Sequence, residues 1–501
     1  MTTSLDNAAY GVLPEVRALA DSPQLMLIDG EFVESTGGER FATIDAATGE
    51  RITEIAQAAP ADVDRAVMAA RRALDGPWSR IAPAERGRLI GALAGLIERQ
   101  ADELAQLEAL DSGKPIAFAR VVDVDMAIQQ LRYYSGWPTK LEGQTLPVGT
   151  PDMHVYTRRE PIGVVAAIVP WNFPLAIAVW KVAPALAAGC TVVLKPAEQT
   201  PLSALRLGAL ALEAGIPPGV LNVCPGDGEV TGAALAGHEG VDRIAFTGST
   251  AVGRDIARAA AGTLAEVSLE LGGKNPNIVL ADADLSAAAT GSAMAAFFNS
   301  GQVCGAGSRI LVQREVHDDF VAELTAQART FRVGPGLDPD TTLGPLISAE
   351  HHARVRGYVE DGVAGGATLL GGGQPDDEGL GNGYFLEPAV LAGVRDDDAV
   401  CREEIFGPVA VVQPFDTVDE AVTRANATPY GLTAGVWTTD VRNAHRFAAQ
   451  LQAGTIWING WGHFDPAVPF GGYKQSGYGR DSGRAALDEY LQVKAVWTNL
   501  A

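Results

Sequence analysis

From about residue 163 onward, apolar and polar positions along the chain follow a repeating order: a short apolar run, a Gly/Pro-containing loop, then apolar residues at helical spacing. "GVVAAIV" (163–169) precedes a helix predicted over 175–188, and "TVVLK" (191–195) precedes one over 201–214. "VLNV" (220–223) and "RIAFT" (243–247) lead into helices predicted over 228–236 and 250–261. Strands that are apolar throughout are buried on both faces, so this alternation predicts a parallel sheet covered by helices. A second such run starts at "NPNIVL" (275–280) and continues through "RILVQ" (309–313), a helix over about 316–330, "ATLLGGG", "VAVVQPF" and "GTIWIN". Two α/β units are expected, with the double glycine of "EVSLELGGKNP" (266–276) as a hinge between them.

Ahead of the first sheet, residues 61–136 carry helical apolar spacing and are expected to pack against it. Two segments read as strands outside either sheet: "MHVYTRRE" (153–160) and "YLQVKAVWT" (490–498), in which Leu491, Val493, Ala495 and Trp497 alternate with other residues. Strands in such places need a partner, and a neighbouring subunit is the expected one. The uncharged stretch 162–180 is long enough to span a bilayer, but Pro170 and Pro174 fit a strand, turn and helix instead.

Composition narrows the classes. The 501 residues suit about three domains. A net charge of −23, spread along the chain, argues against a nucleic-acid groove or an anionic membrane surface. The four cysteines, Cys190, Cys224, Cys304 and Cys401, form no C-x-x-C pair, so neither a disulfide framework nor a metal site is expected. The N-terminal "MTTSLDNAAYGVLPEV" has no basic region leading into an apolar core, which makes the cytoplasm the expected compartment.

Cys304 stands apart from the others. It follows the apolar "AMAAFF" by a polar, flexible turn, "NSGQVCGAGSR", where a core cysteine would have aliphatic neighbours. As a nucleophile it would need donors for the anion formed on attack, and its own N–H and the amide of Asn172 in "PWNFP" could serve. Glu270, at the end of "EVSLE" and just before the double glycine, sits in an apolar setting that raises a carboxyl pKa and suits a general base toward water. A structural cysteine, a turn-capping Asn and an ion-paired Glu are the plainer readings of each residue alone. Glycines around "FTGSTAVGRDIA" (246–257) could seat a pyrophosphate on a helix N-terminus, and "KPAEQTP" (195–201) offers Glu198 to a ribose diol with Lys195 beside it. Neither a Walker loop nor G-x-G-x-x-G is present, and the acid precedes the glycines by about fifty residues where the usual dinucleotide fold has it after them.

Taken in order, "PWNFP", "KPAEQTP", "FTGST", "ELGGKNP", "GQVCGAGSR", "EEIFGP" and "PFGGYKQSGYGR" resemble the aldehyde dehydrogenase superfamily over nearly the whole chain. The resemblance implies a Rossmann-like NAD-binding domain (1–140 and 161–272), a catalytic domain (273–475) and oligomerisation strands (141–160 and 485–501). It implies that Cys304 attacks the aldehyde, that Asn172 and the Cys304 N–H hold the oxyanion, and that Glu270 activates water to hydrolyse the thioester. It places the adenine ribose on Lys195 and Glu198, the pyrophosphate near Trp171 and Ser249, and the nicotinamide ribose on Glu404 with Phe406 alongside. Ile168, Gly228, Phe246, Gly248, Val252 and Leu271 are further cofactor contacts it implies. A carboxylate at Glu198 repels a 2′-phosphate, so NAD is expected over NADP, although Lys195 leaves NADP possible.

Three positions depart from the family's commonest pattern. Asp481 stands where many members carry Glu and, with Lys181, belongs to a proposed proton path, which leaves that relay open. His351 replaces a frequent Gln near the cofactor. Gly305, directly after the nucleophile, is expected to widen the pocket.

The substrate tunnel implied by resemblance is lined by Met126, Phe173, Ile177, Trp180, Val303, Phe464 and Phe470, all apolar or aromatic. Such walls favour an aromatic or medium-chain aliphatic aldehyde and offer no cation for a second carboxylate. Betaine aldehyde ranks second, because aromatic rings also hold a quaternary ammonium. A CoA-acylating dehydrogenase, a thiol esterase and a noncatalytic nucleotide-binding protein remain as whole-protein alternatives. A homo-oligomer, dimer or tetramer, is expected.

Overall fold

The computed structural model describes residues 11–373, 375 and 380–501; the first ten residues of the N-terminal segment read for a signal lie outside the described residues. Strands Val164–Ile168, Thr191–Lys195, Leu221–Val223, Arg243–Thr247 and Glu266–Glu270 form a parallel core. Alternate side chains of one strand enter opposite cores: Val165 and Ala167 pack among the helices of 83–135, 174–188 and 202–213, while Val164, Ala166 and Ile168 pack against helices Pro60–Asp75 and Thr250–Thr263. That two-sided burial is why the strand reads as an unbroken apolar run.

The predicted parallel sheet carries antiparallel additions at both edges. Met26–Ile28 and Glu31–Val33 extend one edge as an antiparallel hairpin, and Gly477–Tyr478 closes the other edge antiparallel to Glu266–Glu270. These additions are too short to show a period in sequence. The helix expected over 228–236 is a π-turn, Gly228–Gly232, running into Ala233–Ala236, with the Asp227 side chain accepting from Val230 N–H.

The second sheet has the order Thr368–Leu369, Ala389–Ala392, Val409–Phe415, Arg309–Gln313, Pro276–Val279, Thr433–Trp437, Thr455–Ile458, parallel except for the first strand. "TAGVW" and "AVLA" are strands the apolar reading passed over. The double glycine lies between the last parallel strand of the first sheet and Pro276–Val279 of the second. Gly272 and Gly273 have no left-handed φ; a Cβ on Gly272 would meet the Glu404 carboxylate at 2.2 Å, and one on Gly273 would meet the Cys304 carbonyl oxygen at 2.7 Å. The pair is glycine because neighbouring groups approach the backbone closely.

Met153–Pro161 and Leu491–Asn499 pair antiparallel with each other along their whole length, with Thr145–Leu146 as a third strand. The partner expected from a neighbouring subunit is therefore supplied within the chain. Leu491–Asn499 is left as an edge, with Val493 and Trp497 exposed. Stretch 162–180 is strand, turn and helix, with Pro174 in the first helical turn, and among the described residues no helix is long and apolar enough to cross a membrane.

Trp78 anchors the junction of the N-terminal helices with the first sheet: it is fully buried and its indole N–H donates to the Cys190 carbonyl oxygen at 3.0 Å. Trp78→Ala should cost about 3–5 kcal/mol of stability, and Trp78→Phe about 1 kcal/mol from the lost hydrogen bond. Denaturant unfolding followed by fluorescence measures both; an unchanged midpoint for the alanine variant would remove Trp78 from the core.

Candidate active site

The parallel register sets Ile168, Lys195, Thr247 and Glu270 along one carboxyl edge: Ile168 pairs with Phe246 and with Lys195, and Thr247 with Glu270. Ligand sites of α/β sheets form at that edge. The thiol reaches it from the other sheet's side. After helix Leu285–Phe297, Asn299, Ser300 and Gly301 all adopt left-handed conformations, φ 51, 55 and 69°, and turn the chain back. Such backbone is costly, so hydrogen bonds must hold it.

Those bonds come from both sheets. Asn275 Nδ2 donates to the carbonyls of Cys304 (2.8 Å) and Ala306 (2.9 Å), while its Oδ1 accepts from Thr433 N–H (3.0 Å). Asn172 Nδ2 donates to the Gln302 carbonyl at 3.0 Å, and Gln302 Oε1 accepts from Ile347 N–H at 3.0 Å. Asn275 and Gln302 were not singled out in the sequence. They act on backbone atoms, which leaves no residue-type signature.

Two cavities meet at Cys304. The larger, about 470 Å³, contains every side chain expected for the tunnel: Met126, Phe173, Ile177, Trp180, Val303, Phe464 and Phe470. It also exposes Val121, Val122, Gln129, Met294, Phe298, Trp457, Trp461 and His463, which the sequence reading missed; the aromatic density of "IWINGWGHF" was the available signal. Trp180, Phe464 and Phe470 contact one another at centroid distances of 5.4–6.1 Å. Gly305 lines this cavity, and a Cβ there would meet the Thr433 methyl group at 3.3 Å.

The second cavity, about 340 Å³, is lined by Trp171, Asn172, Gly248, Ser249, Leu271, Glu404 and Phe406 together with Pro170, Thr247, Gly272, His351 and Arg354. Thr247, Glu270, Leu271 and Cys304 line both cavities. Glu198 opens instead on a third cavity of about 270 Å³ with Gln57 and Asp227. Lys195 is buried behind it, its Nζ 3.6 Å from Glu198 Oε2 and donating to the Pro196 carbonyl. Ile168, Phe246, Gly228 and Val252 line none of the three; Ile168 and Phe246 are buried beneath the edge, and Val252 is exposed one turn into helix Thr250–Thr263.

Burial sets the electrostatics. Burial, with the charges of Glu404 and Glu270, pushes the Cys304 thiol up to about 12, although the N–H groups of Gly305 and Cys304 favour the thiolate. Glu270 is buried with neither carboxylate oxygen hydrogen-bonded among the described residues; burial and then the Asp481 charge raise its pKa well above the usual carboxylate range. Lys181 and Asp481 form a buried pair, Nζ to Oδ2 2.6 Å, so the shorter acid still reaches the lysine. Glu404 accepts from Gly273 N–H at 2.9 Å, and burial lifts it to about 7. His351 is lowered to about 4 by burial, so its neutral ring shares a 2.7 Å hydrogen bond with the Phe406 carbonyl oxygen and packs on Trp171.

The site thus sets a thiol and a carboxyl group, the latter without a hydrogen-bond partner among the described residues, between an apolar tunnel and a second cavity. The profile described as the aldehyde dehydrogenase family matches residues 32–496, and the chain belongs to that family of aldehyde-oxidising enzymes. DhaS of Bacillus subtilis (strain 168) is 52% identical over 476 residues, with 95% of each chain covered. Retinal dehydrogenase 2 of Homo sapiens is 48% identical, covering 94% of this chain and 91% of its own. The NAD+ complex of an aldehyde dehydrogenase from Bacillus cereus superimposes with a TM-score of 0.96 at 47% identity, covering 99% of this chain and 100% of that one.

Because the free protein holds Cys304 as a thiol with a pKa near 12, its alkylation by iodoacetamide should accelerate about tenfold per pH unit between pH 7 and 9. Mass spectrometry of the Cys304 peptide against time measures this, and a plateau below pH 8 would contradict it.

Proposed function

We propose that the protein oxidises a hydrophobic aldehyde, aromatic or medium-chain aliphatic, to the carboxylic acid, with NAD preferred over NADP. The observation that carries this reading is the sharing of Cys304 and Glu270 by two cavities, one apolar and one edged by glycine, serine and carboxylate side chains. The donor set of the second cavity fits a dinucleotide. Gly248 and Ser249 lie at the N-terminus of the fourteen-residue helix Thr250–Thr263, and the buried Thr247 Oγ1 has no partner among the described residues. On this reading Glu404 accepts from a ribose hydroxyl, and a carboxylate at Glu198, beside Lys195, supports a free 2′-OH over a phosphate.

Bound nicotinamide supplies a hydride acceptor. The chain's residues do the rest: Cys304 Sγ releases its proton to water in the cavity and adds to the carbonyl carbon, the Asn172 amide and Cys304 N–H stabilise the oxygen of the adduct, and loss of the adduct's C–H as hydride to that acceptor leaves the thioester. Glu270 takes the proton of the water that cleaves the thioester. Its raised pKa means the base form grows with pH, so hydrolysis accelerates as pH rises toward that pKa. The tunnel's aromatic walls support an apolar substrate, as does the activity on retinal that one relative's name carries. The free cysteines suit a reducing cytoplasm, and the exposed Leu491–Asn499 edge suits a homo-oligomer.

The test is NADH formation at 340 nm with phenylacetaldehyde, benzaldehyde, hexanal, betaine aldehyde and succinic semialdehyde, each with NAD and NADP. Hydrophobic aldehydes with NAD should turn over, and Cys304→Ala should abolish it. Glu270→Gln should retain a single-turnover burst while lowering steady-state turnover about 10²–10⁴-fold. Best turnover with betaine aldehyde, or a requirement for CoA, would overturn the substrate or the hydrolytic step respectively.

A further inference from the structure

Helix Ala101–Ser112 carries two buried carboxyl side chains three positions apart, Glu108 and Asp111. Neither lines the cavities at Cys304. Burying a carboxyl group is costly, so the partners each one does have point to its use, although Glu108 Oε2 has none among the described residues. Glu108 Oε1 accepts from Leu175 N–H at 3.2 Å, in the first turn of helix Pro174–Ala188, whose N-cap Phe173 supplies no side-chain cap. Asp111 Oδ2 accepts from Leu202 N–H at 2.8 Å, the first residue of helix Leu202–Glu213, whose N-cap Pro201 supplies none either. One turn of one helix thus caps two others from a distance.

A site loop leads into each capped helix. Before the first stand Asn172, bonded to the carbonyl of Gln302 near Cys304, and Phe173, a wall of the larger cavity. Lys114 Nζ lies 4.1 Å from the Phe173 ring centroid and 2.5 Å from Asp123 Oδ2, with both charged groups fully buried. Before the second helix stands Glu198. Asp111 Oδ1 is 2.7 Å from Thr43 Oγ1, which also lies 3.2 Å from the Gln199 carbonyl oxygen, and Gln199 Nε2 donates to Glu198 Oε1 at 3.1 Å.

We infer that Glu108 and Asp111 are positioning residues with separate duties: Glu108 holds the Asn172–Phe173 turn for the step at Cys304, and Asp111 holds the Glu198 loop for the adenosine end of NAD. The inference rests on the function proposed above. The two duties separate because the capped helices start at different strands, Val164–Ile168 and Thr191–Lys195. Glu108 also faces the Ser203 side chain of the second helix, so the separation is what the split between kcat and Kd reads. Misplacement of a reacting group by about 1 Å lowers the chemical step, whereas a shifted ribose contact weakens binding alone.

The experiment compares Glu108→Ala, Glu108→Gln, Asp111→Ala and Asp111→Asn by kcat with hexanal and by the Kd for NAD from tryptophan fluorescence. Glu108→Ala should lower kcat about tenfold or more with the NAD Kd unchanged, and Glu108→Gln, which keeps an acceptor for Leu175, should restore it. Asp111→Ala should raise the NAD Kd about fivefold or more with kcat at saturating NAD unchanged, and Asp111→Asn should restore it. Parallel shifts of kcat and Kd in both alanine variants, or no rescue by the amides, would overturn the inference. Wild-type protein that binds NAD but oxidises no aldehyde would instead overturn the proposed function, leaving the Asp111 duty to be judged by Kd alone.

Discussion

Desolvation of Cys304 and Glu270, where the two cavities meet, is the constraint on which the rest of the structure depends. Among the described residues no hydrogen-bond partner reaches the Glu270 carboxylate, and burial raises the pKa of Cys304 and Glu270 alike. In water neither group would be so perturbed. The same low-dielectric setting strengthens any donor aimed at charge developing on a bound carbonyl, so the features that disfavour the free thiolate also favour stabilisation of an oxyanion.

Holding such a site open requires rigidity from outside it. The loop before Cys304 is strained over three residues and is tied to the first sheet through Asn172 and to the second through Asn275 and Thr433. Glycines at 272 and 273 let Glu404 and the Cys304 carbonyl approach the chain where any side chain would collide. Beneath the site, Glu108 and Asp111 cap the helices that follow the two neighbouring strands. Buried polar groups here are tied mostly to main-chain atoms, which is how irregular backbone remains defined against its own strain.

Legibility in the sequence followed the physics of each element. The parallel strands were readable because two-sided burial forces continuous apolar runs, as in Val164–Ile168 and Val409–Phe415. Short antiparallel additions such as Met26–Ile28 and Gly477–Tyr478 bury few residues and show no period. Within the site, Cys304, Asn172 and Glu270 stood out by chemistry and setting, and Phe173, Trp180, Phe464 and Phe470 of the tunnel by resemblance, while Phe298, Trp457 and Trp461 did not. Asn275, Gln302, Glu108 and Asp111 did not, since side chains that serve backbone atoms can be drawn from any region of the chain. Nor could the sequence show that Thr433, 128 positions away, donates to the Gly305 carbonyl oxygen.

The amino-acid order alone determined the alternation of strands and helices, the family membership carried by its ordered motifs, and the residue types able to do thiol and carboxylate chemistry, because these are local in sequence. Tertiary structure decided which of those groups share a wall. The meeting of two cavities at Cys304, the upward pKa shifts and the pairing of Met153–Pro161 with Leu491–Asn499 all join positions tens to hundreds of residues apart. Desolvation and close approach are properties of the packed chain, and no single segment carries them.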